Sequence, residues 1–178
     1  IAATHNIKHF HLYTSNESIG AQADYIRDGM NYEQWINNVE DMLMDGNLEG
    51  FHMMCTINAL CLDSLPEFLN DILKWKRKYG KDYPTFTLNI LRFPSFQSPL
   101  VLPDDIRTAY KNKLSTFLEM HSGGIFHEYE VNQLIRLIDY LDVVKTPHEG
   151  AVAQTILQRD FKNFYRRSGR WSKCFTSS

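Results

Sequence analysis

Residues 51–79 read FHMMCTINALCLDSLPEFLNDILKWKRKY and hold a whole β/α unit in 29 positions. The opening 51–57 is a continuous apolar run of strand length. Polar residues interrupt it over 58–63, and apolar residues then recur at helical spacing over 64–79. Ser64 stands at the N-cap position with Glu67 three residues on, the arrangement of a capping box. Pro66 falls in the first turn, where no backbone N–H is needed.

The same order recurs on both sides of this unit. Upstream, 7–14 (IKHFHLYT) reads as a strand that stops at the polar cluster Ser15, Asn16, Glu17 and Ser18. A short helix is expected over 19–27, ended by Asp28-Gly29. An amphipathic helix follows, with Tyr32, Trp35, Ile36, Val39, Met42 and Leu43 on one face and Asp45-Gly46 as its stop. Downstream, 85–91 reads as a strand and 104–121 as a helix. Pro94, Pro99 and Pro103 make the segment between them an expected extended loop.

Strands that are apolar throughout and alternate with helices imply an α/β fold with a parallel sheet covered by helices and joined by right-handed crossovers. Three such units amount to half of a (β/α) barrel or part of an open sheet, and the first strand lacks a neighbour on one side. After Gly123-Gly124 the pattern is helical only, over 129–144 and 150–167, and the tail from Arg166 has no periodicity. The chain is therefore expected to divide into a β/α part, 1–122, and a helical C-terminal extension, 123–178.

Composition narrows the classes. With 178 residues, 43% of them hydrophobic and 22% charged, the chain is large enough for one well-buried core. A net charge of −2 and a pI near 6.4 give no global attraction to nucleic acid or to an anionic membrane. Neither a long apolar run nor a signal-peptide pattern is visible. The chain opens on Ile1 and almost at once on a strand, so further coding sequence is expected upstream. Cys55, Cys61 and Cys174 show no CxxC spacing, which fits a reducing cytoplasm better than a disulfide framework. Cys55 and Cys61, flanking a strand end, read as small buried hydrophobes.

In parallel α/β folds ligands bind beyond the carboxyl ends of the strands. The residues there are Ser15 and Asn16, Asn58, and Arg92 to Ser95, types suited to hydroxyls and a carboxylate. The plainer reading is that they cap the helices that follow. Two other constellations compete. His5, His9 and His11 are spaced to share a strand face, and a His9/His11 pair could ligate zinc in a metal-dependent hydrolase of barrel fold; ring packing is the simpler account. Arg159, Lys162, Arg166, Arg167, Arg170 and Lys173 lie among Phe161, Phe164, Tyr165 and Trp171 and could grip single-stranded nucleic acid; a solvated basic helix end is the simpler account.

Three stretches carry a resemblance: YTSNESIGAQADYIRDGMNYEQWINNVEDML at 13–43, MMCTINALCLDSLPEFLNDIL at 53–73 and LNILRFPSFQSPLVLP at 88–103. In order and spacing they resemble radical S-adenosylmethionine (SAM) proteins with a twitch-type C-terminal region. In that family a strand ending in Thr-Ser precedes Gly-x-Gln-Ala-(Asp/Glu)-Tyr-Ile-Arg-x-Gly, the next strand ends in Thr-x-Asn, and a proline-containing loop ending in Leu-Pro follows the third. The resemblance spans about residues 7–118, with a fainter echo in DFKNFYRR at 160–167.

It implies a partial (β/α)6 barrel of which these are the fourth to sixth strands. It also implies SAM and a [4Fe-4S] cluster as cofactors, and cleavage of SAM to a 5′-deoxyadenosyl radical. The electron donor would be of flavodoxin or ferredoxin type and the substrate a peptide or small molecule, with neither nucleic acid nor membrane as a partner. By the same resemblance Ser15 meets the ribose or the methionine carboxylate, Arg27 pairs with that carboxylate and Asn58 binds ribose hydroxyls. The backbone of Leu91, Arg92 and Phe93 lies beside the adenine. A second role open to Arg27 is that of a helix C-terminal residue interacting with the dipole. The chain departs from the family in having no CxxxCxxC motif, so the cluster ligands are expected upstream and this chain alone is expected to lack radical activity. A non-catalytic interaction domain on a decayed α/β barrel is the alternative.

Overall fold

A computed structural model describes residues 9–45, 48–80, 82–121 and 123–143. It shows an α/β fold built on an open parallel sheet of three strands in the order β1-β2-β3: His11–Ser15, Gly50–Ile57 and Thr85–Ile90. The helices of the described residues are α1 (Gly20–Ile26), α2 (Tyr32–Asp45), α3 (Leu65–Tyr79), α4 (Asp104–His121) and α5 (Glu128–Leu141). Tyr13 stands opposite His52, and His52 opposite Thr85, so that side chains of all three strands share each face.

Strand side chains alternate between two faces, and here the faces differ. Phe51, Met53, Cys55 and Ile57 of β2, with Phe86 and Leu88 of β3, are fully buried. They belong to one core with Leu69, Ile72 and Leu73 of α3, Leu114 and Phe117 of α4, and Leu134, Leu137 and Leu141 of α5. The other face carries His11, Tyr13, Ser15, His52, Met54 and Thr56, and among the described residues no helix covers it: Tyr13 is 61% and Met54 40% exposed. The expected sheet covered by helices is therefore covered on one side. Helix spacing on α3 and α5 provides one apolar stripe each, enough for one layer.

Local expectations meet the structure unevenly. Ser64 occupies the N-cap position of α3 and Pro66 lies in its first turn, but the capping box does not form. The Ser64 hydroxyl instead accepts from the backbone N–H of Ile19 at 3.4 Å, and Glu67 pairs with Lys113 of α4 at 2.9 Å. The loop before Pro103 is not extended throughout. It holds two single-turn 3-10 helices, Ser95–Gln97 and Pro99–Val101, the second capped by the Ser98 hydroxyl, which accepts from Leu100 N at 3.3 Å. A fixed proline φ suits such a turn as well as it suits extended chain. The helix expected over 150–167 and the basic aromatic tail lie outside the described residues.

Helix α5 docks on the outer edge of β3. Glu130 Oε1 accepts from Phe86 N at 3.1 Å, Gln133 Oε1 accepts from Leu88 N at 2.5 Å, and Arg136 Nη2 donates to the Leu88 carbonyl at 2.6 Å. Residues 130, 133 and 136 form one stripe on the helix, and the groups they meet are those β3 would offer a fourth strand. Glu130 goes further: Oε2 accepts from Lys76 Nζ of α3 at 2.7 Å and from His127 N at 2.8 Å. Both charged side chains of the Glu130–Lys76 pair are buried.

Removing one partner of such a pair strands a charge in a dry interior, which costs about 3–5 kcal/mol, whereas an exposed pair is worth about 1 kcal/mol or less. Glu130→Ala is expected to lower unfolding stability by about 3–5 kcal/mol in urea titration. Lys74→Ala, which breaks the exposed Asp71–Lys74 pair, is expected to change it by less than about 0.5 kcal/mol.

Candidate functional site

Beyond the carboxyl ends of the strands lies a cleft of about 490 Å³. Its polar lining is Glu17, Arg27, Thr56, Asn58 and Gln97, and Tyr25, Ile26, Leu60 and Leu91 contribute the rest of the wall. Each of the three β/α units supplies part of it.

The first unit builds its share with residues 13–32. Gly20 (φ 54) opens α1 and Gly29 (φ 77) follows it, both in the left-handed region that glycine adopts without a Cβ penalty. Ala23, on the inner side of α1, is fully buried. Gln22 Nε2 donates to the Leu60 carbonyl, joining α1 to the loop after β2. Asp24 Oδ1 accepts from Tyr32 N at 2.7 Å and so sets the entry of α2. Trp35 of α2 in turn donates to the Thr14 hydroxyl at 2.9 Å.

Arg27 is the C-cap residue of α1, with its backbone N–H donating to the Ala23 carbonyl. Its Nη2 meets Glu17 Oε2 at 2.5 Å, and the Glu17 side chain is only 2% exposed. The same carboxylate oxygen accepts from Thr56 N at 3.3 Å, so Glu17 ties the loop after β1 both to α1 and to the end of β2. Arg27 Nε is buried and has no hydrogen-bond partner among the described residues.

Asn58 shapes the loop after β2. Its Oδ1 accepts from Leu60 N at 2.8 Å, an Asx turn, and its Nδ2 donates to the Thr56 carbonyl at 3.2 Å. Nδ2 carries a second hydrogen beyond that bond. The third unit closes the cleft from above: Leu91 N donates to the Ile57 carbonyl at 2.8 Å, and Ala59 N donates to the Gln97 carbonyl at 2.9 Å.

Of the residues singled out from sequence, Arg27, Asn58 and Leu91 come together in this cleft. Arg92 turns away into a neighbouring cleft of about 420 Å³ with Asn89, Arg136, Asp139 and Tyr140, its guanidinium 5.7 Å from the Tyr140 ring centre. Ser15 ends β1 on the bare face, exposed, and lines neither cleft. Asn16 is buried, with Nδ2 donating to the Ser18 carbonyl at 2.8 Å. Sequence reasoning passed over Glu17, Gln22 and Gln97. A carboxylate just past a strand end, followed by an arginine about three helical turns on, is the signal that would have pointed to Glu17.

His9 and His11 lie at the amino end of β1, away from the cleft. Both approach Glu49: His9 Nδ1 lies 2.8 Å and His11 Nε2 3.5 Å from Glu49 Oε2. Among the described residues no group of three or more His, Cys, Asp or Glu side chains converges to hold a metal ion, and His5 lies outside those residues. Among the same residues no helix is long and apolar enough to cross a membrane.

Cys55 and Cys61 are fully buried. Burial first, and the charge of Glu17 second, push both thiols well above the usual cysteine range. Asn58 N and the Asn58 carbonyl both lie within hydrogen-bond reach of Cys61 Sγ. No family model, curated protein or solved structure matches the chain.

Buried neutral thiols react only when the structure opens. In a Cys174→Ser background a disulfide reagent at pH 8 is expected to leave both remaining cysteines unmodified in native buffer and to titrate both in denaturant. Prompt labelling of the native protein would place one of them at an accessible surface.

Proposed function

We propose that the chain supplies the SAM-binding half of a radical SAM barrel, with SAM held in the cleft at the carboxyl ends of the strands. The observation that carries the reading is that Arg27, Asn58 and Leu91, one from each β/α unit and each named by the resemblance, line one cleft.

The donor set suits a ligand with a carboxylate, ribose hydroxyls and a flat base. Arg27 is compensated by Glu17, which fixes the guanidinium, and its side chain, 28% exposed and lining the cleft, presents a planar donor group to a carboxylate. The remaining hydrogen on Asn58 Nδ2 and the Thr56 hydroxyl suit ribose. Ile26, Leu60 and Leu91 offer an apolar wall for adenine. Ser15 and Arg92, at the margins, have no part in this version of the site.

The cluster is a different matter. Cys55 and Cys61 are buried beside the helix-covered side of the sheet, so the described residues present no ligand set for iron, and the ligands are assigned to a segment upstream. When bound, SAM and a [4Fe-4S] cluster together supply a 5′-deoxyadenosyl radical after electron transfer from a flavodoxin- or ferredoxin-type donor, which suits a cytoplasmic setting. This chain's own part is to orient the SAM carboxylate and ribose and to wall off one side of the site.

Two further features favour a partial barrel. The bare sheet face would line the lumen, and β1, which pairs only with β2 among the described residues, would accept the preceding barrel strand. At the other end α5 occupies the β3 edge, so the barrel would stop there rather than close.

Equilibrium dialysis of SAM against the intact protein tests the reading. Arg27→Lys keeps a cation beside Glu17 but removes the planar guanidinium. One charge-assisted hydrogen bond is worth about 1.5–3 kcal/mol. Affinity is therefore expected to fall about tenfold or more, with thermal stability little changed. Unchanged SAM affinity would remove Arg27 from the site. No SAM binding by the parent protein would leave the interaction-domain reading in its place.

A further inference from the structure

The amino end of the bare sheet face carries a second constellation, which the SAM reading does not use. His11 of β1 and His52 of β2 approach one another over Gly50, with His11 Nδ1 3.3 Å from His52 Nε2. Their rings are within 6° of parallel and their centres are 5.6 Å apart, so they meet edge to edge through those two nitrogens. Gly50 makes the approach possible. A Cβ there would stand 2.5 Å from His11 Nδ1 and 2.9 Å from His52 Nε2, although the Gly50 backbone is one any residue could adopt.

The outer nitrogens are anchored as well. His11 Nε2 faces the Glu49 carboxylate at 3.5 Å, and an ionised carboxylate only accepts. With its proton on that nitrogen, His11 has its lone pair on Nδ1, toward His52. His52 Nδ1 lies 2.6 Å from the Thr85 hydroxyl, which can donate or accept. In one tautomer His52 Nε2–H donates to His11 Nδ1 and Thr85 donates to His52 Nδ1. In the other tautomer His52 Nδ1–H donates to Thr85, and both inner nitrogens present lone pairs to the same point. The hydroxyl makes this exchange possible without loss of a hydrogen bond.

We propose that His11 and His52 form a two-histidine site for a divalent transition metal of the zinc, nickel or copper type, with Glu49 and Thr85 as its outer-shell partners and water completing the coordination. Tetrahedral zinc bonds to imidazole nitrogen at about 2.0–2.1 Å, which separates two nitrogen ligands by about 3.3 Å. The pair already has that spacing, so binding requires the rings to tilt rather than to travel. A metal-bound histidine usually donates its far N–H to an oxygen acceptor such as a carboxylate, as His11 would to Glu49, and the Thr85 oxygen can take the same part for His52. His11 is 44% exposed, which leaves the site open to water and metal. His9 has a different role from the one its spacing suggests: it contacts Glu49 through Nδ1 at 2.8–2.9 Å and stands outside the inner pair.

The site is independent of SAM, and its test needs no activity. Zinc is titrated calorimetrically into the full 178-residue chain, and the zinc-induced rise in melting temperature is followed in parallel, since a ligand bound only by the native state stabilises it. One saturable equivalent is expected to vanish in His11→Gln and in His52→Gln and to persist in His9→Gln. Thr85→Val is expected to weaken it about tenfold, and Gly50→Ala to weaken it by crowding the His11 ring. Equivalents bound elsewhere on the chain persist in every variant. Circular dichroism of each variant separates loss of metal from loss of fold. A folded His52→Gln protein that binds as many equivalents as the parent overturns the proposal, as does loss of the equivalent in His9→Gln.

Discussion

Glu130 sits in the dry interior and still carries its full set of partners: Lys76 from α3, the Phe86 N–H from β3 and the His127 N–H at the start of its own helix. A carboxylate without water is tolerable only if its lone pairs are met and its charge is matched. Here that requirement can be satisfied only when α3, β3 and α5 are in place together. The interaction is thus a condition on the arrangement of three elements. Gln133 and Arg136, one and two turns further along α5, extend the same pattern down the strand edge.

The consequence reaches the rest of the sheet. With the β3 edge occupied by side chains, β1 is the edge at which the sheet of the described residues can continue. An exposed strand edge with a bare face beside it is a liability in an isolated domain and an attachment point in a larger one. The two ends of that sheet also differ chemically. At the carboxyl ends, Glu17 gathers Arg27 and the Thr56 N–H and leaves a cleft with mixed polar and apolar walls. At the amino ends, Gly50 leaves room for two imidazoles to face each other. Both are built from side chains that adjacent parallel strands bring into register.

Much of the skeleton was legible along the chain because it depends on local periodicity. Residues 51–57 and 64–79 fold as the strand and helix their spacing implies, and 85–91 and 104–121 differ by a residue at most. Caps were less legible, because a serine hydroxyl serves whichever donor tertiary contact brings near. Ser64 meets Ile19 rather than its own helix. The segment between Pro94 and Pro103 was read as extended, since proline restricts φ without choosing between extended chain and a tight turn.

At the cleft, Arg27, Asn58 and Leu91 could be named from motif positions at strand ends, and parallel topology is enough to bring such positions to one side. Glu17 was harder to name, because its one signal, an arginine ten positions on, gains meaning only when the loop after β1 and α1 bring the two together. The same holds for His11 and His52, which lie 41 positions apart and meet only through strand register. By itself the sequence determined the alternation of strands and helices and the strand ends at which polar residues collect, because spacing along the chain encodes which side of an element is apolar. Tertiary structure alone decided which buried charges pair, which sheet face stays bare, which edge α5 occupies and which imidazoles touch, because each of these depends on distances between residues that periodicity does not relate.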